Sequence, residues 1–221
     1  MQWNLPNILT VIRLLAAPGV AVMFLYFHRP WADWFALTLF VGAAVTDWFD
    51  GYLARLWHQE SKFGAAMDPI ADKAMVVIAI MVLTGYSGMN PWLILPATVI
   101  LFREVFVSGL REFLGDKAST LKVTKLAKWK TTAQMVAIAV LFLGTGLEYL
   151  NGVAMQGMTP EQYTAAVDAG LADPVRSCGR RDCASLAGYV GLVLMWIAAL
   201  LTAITGYEYF RKSQPYLKDK K

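Results

Sequence analysis

Six stretches of the chain run apolar for close to twenty residues, and polar or charged residues gather between them. A bilayer core needs about 20 such residues per α-helix. The pattern therefore predicts membrane-spanning helices near 8–27, 32–56, 66–86, 92–113, 125–147 and 186–210. The fifth is short as an uncharged run, from Thr131 to Gly146, which puts Lys128 and Lys130 at its entry. No two-residue alternation of the kind a membrane β-barrel requires is visible. The expected fold is all-α: a polytopic membrane protein of six transmembrane helices. It is read as one domain over 1–221 with a polar loop insertion at about 148–185. The opening MQWNLPN carries no Lys or Arg and no small-residue cleavage site follows it, so the first span is expected to stay attached.

Composition agrees with the pattern. Hydrophobic residues make up 57% of the 221 and charged residues 16%, against roughly 25% charged in an average soluble domain. The mean hydropathy is +0.46. A disordered chain is excluded and a water-soluble globule disfavoured. The net charge of +4 is no sign of nucleic-acid binding, because the basic residues cluster between apolar segments. Their placement bears on topology instead. With the N-terminus inside, the inner segments Arg55–Lys62, Arg111–Lys130 and the tail from Arg211 hold 13 Lys and Arg, and the outer ones hold four. The positive-inside bias then puts both termini in the cytoplasm. The basic tail would also attract anionic lipid headgroups.

The long outer connection contains Thr159-Pro160-Glu161-Gln162, a capping box with proline at the first helical position. It predicts a short helix to about Asp168, ended by Gly170. Cys178 and Cys183 fall in the same connection. A C-x4-C spacing with no nearby His gives little support to a metal site. On an oxidising face a disulfide is expected rather than two free thiols.

The chemistry concentrates at the end of the second span and the start of the third. Asp47 and Asp50 are three residues apart and share a helix face, as do Asp68 and Asp72, four apart. A short inner connection joins the two helices, so both pairs lie at the cytoplasmic end of an antiparallel hairpin. Each acid costs a few kcal/mol in a bilayer, and four together repel strongly in low dielectric. Divalent cations would resolve this, and all-oxygen ligation favours Mg²⁺ or Mn²⁺ over zinc. Four carboxylates on two helices suit two metals about 3.5–4 Å apart, the arrangement used in phosphoryl transfer. Gly51 and Ala54 lie one turn after Asp47 and Asp50, and Gly64 one turn before Asp68. All three would leave room for a bulky ligand. Arg55 could hold a phosphate through its planar fork. The competing structural view is of helix-end charges paired with Arg55 and Lys73, and it leaves four costly carboxylates unexplained.

The run D-x2-D-G-x2-A-R-x8-G-x3-D-x3-D resembles the signature of the CDP-alcohol phosphatidyltransferase family. Every fixed position is present, at Asp47, Asp50, Gly51, Ala54, Arg55, Gly64, Asp68 and Asp72. Flanking stretches resemble the bacterial members that use sn-glycerol 3-phosphate as acceptor. These are NLPNILTVIRLLAAP with Asn7, Thr10, Arg13 and Pro18, FREVFVSGLREF with Arg103, Glu104, Arg111 and Glu112, and KLAKWKTTAQM with Lys125, Lys128, Lys130, Thr131 and Gln134. The loop at 148–185 is longer than those members lead one to expect, and its cysteines match no family motif. The resemblance implies phosphatidyl transfer from CDP-diacylglycerol to glycerol 3-phosphate in the bacterial cytoplasmic membrane, with release of CMP. It implies Asp47, Asp50, Asp68 and Asp72 as ligands of two divalent cations, with Asp72 also the general base. Gly51, Ala54, Arg55, Gly64 and Asp68 would line the CDP moiety, and a homodimer is common in the family.

A phosphorylated acceptor carries about two negative charges and needs cations. Arg111 and Lys128 are the leading candidates, followed by Arg103 and Lys130. The bland alternatives are an Arg103–Glu104 helix pair and lysines that only anchor topology. Arg13 could serve only to stitch the first span to the bundle through a carboxylate. Two rivals remain at this stage. One is the same family with another acceptor, such as inositol phosphate. The other is a divalent-cation transporter, against which all four acids lie at one membrane face, whereas an ion path should also mark the midplane.

Overall fold

The computed structural model describes residues 5–29, 31–56, 61–115, 125–155, 159, 161–162, 165 and 180–217. Within them, the side chains of 6, 48–56, 62, 65, 125–128, 151–155 and 180–185 lie outside the description. Six long helices follow one another: α1 Leu5–Tyr26, α2 Trp31–Leu56, α3 Lys62–Tyr86, α4 Pro91–Leu114, α5 Lys125–Met155 and α6 Arg180–Leu217. No strand occurs among the described residues. Four of the helices hold stretches long and apolar enough to cross a bilayer: Asn7–Tyr26, Pro91–Leu114, Trp129–Leu150 and Leu186–Leu217. Large apolar side chains such as Leu15, Leu25, Phe102 and Val105 face outward. That is the surface of a membrane protein, because lipid rather than water covers it.

Helix α1 packs against α2 and α3, α6 packs against α5 and α4, and α2 meets α5 to close the bundle. The buried stripe of α1 runs Asn7, Thr10, Arg13, Ala17, Val20 and Phe24, spacings of three and four that keep one face inward. Its first half is polar and its second half apolar. Phe24, Phe40 and Phe142 meet in the apolar half, with ring centroids 5.7 and 5.8 Å apart. Small residues bring α5 and α6 together. A Cβ on Gly144 would stand 3.4 Å from the Gly188 backbone nitrogen, and one on Gly191 only 2.7 Å from Leu141. Such close approach is how helices gain packing energy in lipid.

A polar knot fastens the end opposite the inner connections. Arg29, between α1 and α2, grips the buried Asp33 carboxylate at 2.6 and 2.8 Å and donates to the Thr145 carbonyl at 3.0 Å. Its guanidinium lies 5.2 Å from the Tyr86 ring centroid and 4.7 Å from that of Tyr149. The hydrogen bonds it donates to Asp33 hold the Arg29 pKa above its ordinary value.

The expected spans agree with α1 to α4 within a few residues, but two boundaries change. Helix α5 runs on to Met155, and α6 begins at Arg180 and continues to Leu217. The connection is therefore shorter than 148–185, and Arg211 and Lys212 are helical rather than tail. Outside the hydrocarbon nothing forbids a helix from continuing through polar residues, and Tyr149 has a partner there in Arg29. The capping box is present. The Gln162 amide donates to Thr159 Oγ1 at 3.2 Å, and the Thr159 amide donates to Gln162 Oε1 at 3.1 Å. The rest of that helix to Asp168 and Gly170, Cys178, and the side chain of Cys183 lie outside the described residues.

Candidate active site

The polar half of the α1 stripe faces the start of α3 and the end of α2. Arg13 Nη1 donates to Asp47 on α2, and to Asp72 Oδ1 on α3 at 3.0 Å. Its side chain is only 2% exposed, while those of Asp47 and Asp72 are 42% and 48% exposed. One buried cation thus pins two acids that stay open on their other side. Thr10 Oγ1 donates to Asp68 Oδ1 at 2.7 Å. Three of the four predicted acids are therefore oriented from a single helix that carries no acid itself.

The same helix sets the start of α3. Ser61 is the N-cap: its Oγ accepts from the Gly64 amide at 2.9 Å and donates to Asn7 Oδ1 at 2.6 Å. A serine cap satisfies one of the amides that a helix start leaves without a partner. A Cβ on Gly64 would stand 3.1 Å from Asn7 Oδ1, 3.3 Å from Ser61 Oγ and 4.0 Å from Asp68 Oδ2. Any larger residue there would have to displace Asn7 and Ser61 slightly, so the close approach of α1 to α3 favours glycine. Asp50, Gly51, Ala54 and Arg55 continue α2, but their side chains fall outside the described residues.

Asp47, Asp68 and Asp72 against Arg13 leave two negative charges uncompensated among these groups. Among the described residues the metal-donor atoms there are carboxylate, hydroxyl and amide oxygens, which is the chemistry of a hard divalent cation. Among the described residues no three acids stand in a ready ligand cluster: Asp47 and Asp72 are turned onto Arg13, and Asp68 onto Thr10. The donor set fits Mg²⁺ or Mn²⁺ in type and charge.

A second polar cluster lies across α3. Lys73, next in sequence to Asp72, donates to Ser108 on α4. Glu104 accepts from the buried Lys130 of α5 and from Arg103 at 3.1 Å. Arg103 lies against Gly206 of α6, where a Cβ would come within 2.8 Å of its Cγ. The Arg111 guanidinium rests 5.5 Å from the Tyr209 ring centroid. Arg103, Arg111 and Lys130 thus line one end of the α4–α5–α6 group, and the side chain of Lys128 lies outside the described residues. The Arg103–Glu104 pair considered from sequence is present, joined by Lys130.

Sequence reasoning missed what Asn7, Thr10 and Ser61 do. Polar residues at 7, 10 and 13 in an otherwise apolar helix were the available signal. It also weighed Glu104 only as a partner of Arg103, and it passed over Asp33. Each is neutralised on the spot, by Lys130 with Arg103 and by Arg29, so neither marks an ion path.

A family model described as CDP-alcohol phosphatidyltransferase matches residues 3–205. A protein of Cereibacter sphaeroides named CDP-diacylglycerol–glycerol-3-phosphate 3-phosphatidyltransferase is 79% identical over 221 residues, all of both chains. The Escherichia coli K12 protein of that name is 44% identical over 184 residues, covering 78% of this chain and all of its own. The Shigella flexneri serotype 5b protein of that name is 39% identical over the same share of each.

Proposed function

The chain belongs to the CDP-alcohol phosphatidyltransferase family, and on that premise we propose that it transfers the phosphatidyl group of CDP-diacylglycerol to sn-glycerol 3-phosphate. The products are phosphatidylglycerol phosphate and CMP. The observation that carries the reading is the meeting of Asp47 and Asp72, from two helices, on one buried arginine. The full-length relative at 79% identity supports the choice of acceptor.

The acceptor's primary hydroxyl bonds to the phosphorus that bears diacylglycerol, and the bond from that phosphorus to the CMP oxygen breaks. The hydroxyl is a poor nucleophile at neutral pH, so its proton needs a base. Asp72 takes that role, half-exposed and held at its other side by Arg13. Two divalent cations, Mg²⁺ or Mn²⁺, held by Asp47, Asp50, Asp68 and Asp72 would neutralise charge on the pyrophosphate when bound. Thr10 holds Asp68, and Arg13 holds Asp47 and Asp72, and orientation fixed in advance lowers the barrier. Gly51, Ala54, Arg55, Gly64 and Asp68 take the CDP moiety. Arg111 and Lys128, with Arg103 and Lys130, take the acceptor phosphate. The arrangement suits a bacterial cytoplasmic membrane with six spans, both termini and the site on the cytoplasmic side, and a homodimer. Acyl chains then remain in lipid while the cytidine end meets water.

The test is CMP release by purified protein from CDP-diacylglycerol with Mg²⁺ or Mn²⁺. Glycerol 3-phosphate, inositol phosphate, serine and no acceptor are compared, alongside Asp72→Asn. Release with glycerol 3-phosphate alone, lost in the variant, is expected. Release with a different acceptor overturns the acceptor, and none with any acceptor from folded protein overturns the reaction.

A further inference from the structure

We infer that Tyr209 and Gly206 of α6 are positioning residues for the acceptor phosphate, acting by setting where the Arg111 and Arg103 guanidinium groups stand. The inference rests on the acceptor reading above and extends it to a helix that the family signature does not touch.

Helices α4 and α6 run side by side in the same direction. Trp92 meets Trp196, Arg103 meets Gly206 and Phe106 meets Phe210. Arg103 and Arg111 are eight residues apart on α4, about 12 Å along the axis. Their partners Gly206 and Tyr209 are only three apart on α6, about 4.5 Å. Arg111 therefore reaches back along its helix, the direction in which helical side chains lean. A long cationic side chain at a membrane rim ordinarily extends toward water and headgroups. Here the Tyr209 ring face draws the guanidinium inward, toward the level of Arg103. Two cations brought to one level can share one doubly charged phosphate, and guanidinium forks suit that geometry.

Gly206 fixes the other arginine. Any Cβ there would come within 2.8 Å of Arg103 Cγ, too near the backbone for the side chain to swing aside without moving its guanidinium. Among the described residues the buried Tyr209 hydroxyl has no hydrogen-bond partner, so the positioning is assigned to the ring rather than the hydroxyl.

The experiment measures KM for glycerol 3-phosphate, KM for CDP-diacylglycerol and kcat, on full-length protein in detergent. Tyr209→Leu is expected to raise the acceptor KM about three- to thirtyfold, the range of one cation–π contact. The other two constants should change less than about twofold. Tyr209→Phe should return the acceptor KM to within about twofold of the parent. Gly206→Ala should raise the acceptor KM at least about threefold. Should Tyr209→Leu fail to fold, trifluorophenylalanine at 209 compared with phenylalanine gives the same test at constant shape. Draining the ring's negative face should raise the acceptor KM. Variants that lower kcat or folded yield while the acceptor KM stays fixed would show a merely structural role and overturn the inference. Arg111→Gln separates the two levels. If it leaves the acceptor KM unchanged, the acceptor reading itself fails. If it raises that KM while the Tyr209 variants do not, only the positioning role fails.

Discussion

Arg13→Gln is the most informative substitution at the carboxylate end. The arginine is buried and donates from one nitrogen to acids on two different helices. A hydrogen bond to a charged group contributes about 1.5–3 kcal/mol. Two such bonds give an upper figure of about 3–6 kcal/mol, and it must be discounted because both acids are nearly half-exposed and water can replace part of the interaction. A loss of about 2–4 kcal/mol remains, which lowers Tm by roughly 5–15 °C in a chain of this size. Glutamine can still donate to one carboxylate but carries no charge, so the excess at the site rises from two negative charges to three. Any cation bound there should then stabilise the variant more than the parent, because binding to the folded state alone adds RT ln(1 + [L]/Kd). The assay is thermal unfolding in detergent, in chelator and again across a Mg²⁺ or Mn²⁺ titration. The variant should melt well below the parent in chelator and regain part of the gap as metal is added. A variant that melts within about 1 °C of the parent in chelator would refute the pinning role. Equal metal shifts in both proteins would refute the charge argument.

Three further outcomes are expected. Gly191→Ala places a Cβ 2.7 Å from Leu141 and should cost about 1–3 kcal/mol as overpacking, seen as a lower Tm with unchanged KM values; an unchanged Tm would mean that α5 and α6 can part without cost. Thr10→Val is nearly isosteric and removes the donor to Asp68, so it should destabilise by about 1–3 kcal/mol while Thr10→Ser does not, and equal melting of the two would discard that bond. Glu104→Gln and Lys130→Gln each leave an opposite charge without its main partner in the bundle, and each alone should cost about 3–5 kcal/mol. The double variant should cost clearly less than the sum, and strict additivity in that cycle would deny the pair.

The helices were legible because membrane burial writes itself as long apolar runs. The spans at 32–56 and 92–113 match α2 and α4 to within one residue at each end. That Asp47, Asp68 and Asp72 would lie near one another was legible because charge is costly in lipid and such spacing is unusual in apolar helices; the Asp50 side chain falls outside the described residues. The ends of α5 and α6 were not, because past the hydrocarbon the hydropathy signal stops while the helix need not. Nor was the role of α1. A threonine or asparagine in a span costs little alone, and nothing in a single helix tells which distant carboxylate it will meet. Tyr209 is the extreme case, an aromatic residue in a span rich in aromatics until α4 is laid beside it.

The two polar clusters meet on consecutive residues of one helix. Asp72 turns to α1, where it is bound by Arg13, and Lys73 turns to α4, where it donates to Ser108. Successive residues on an α-helix point about 100° apart, so α3 can present an acid to one side and a base to the other with no change in backbone. That divides the charge of the site in space. Acids gather between α1, α2 and α3, while Arg103, Arg111 and Lys130 gather on α4 and α5. A transfer between a pyrophosphate and a phosphorylated alcohol needs such a division. The first group is suited by cations held on carboxylates, and the second by the protein's own cations. Glu104, an acid on the cationic side, is already bound by Arg103 and Lys130. A phosphate arriving there would compete with Glu104 for Arg103 and Lys130 but not for Arg111, whose guanidinium rests on an uncharged ring. On the acceptor reading proposed above, Arg111 is expected to be the first of these cations to engage the acceptor, and Lys130 the last.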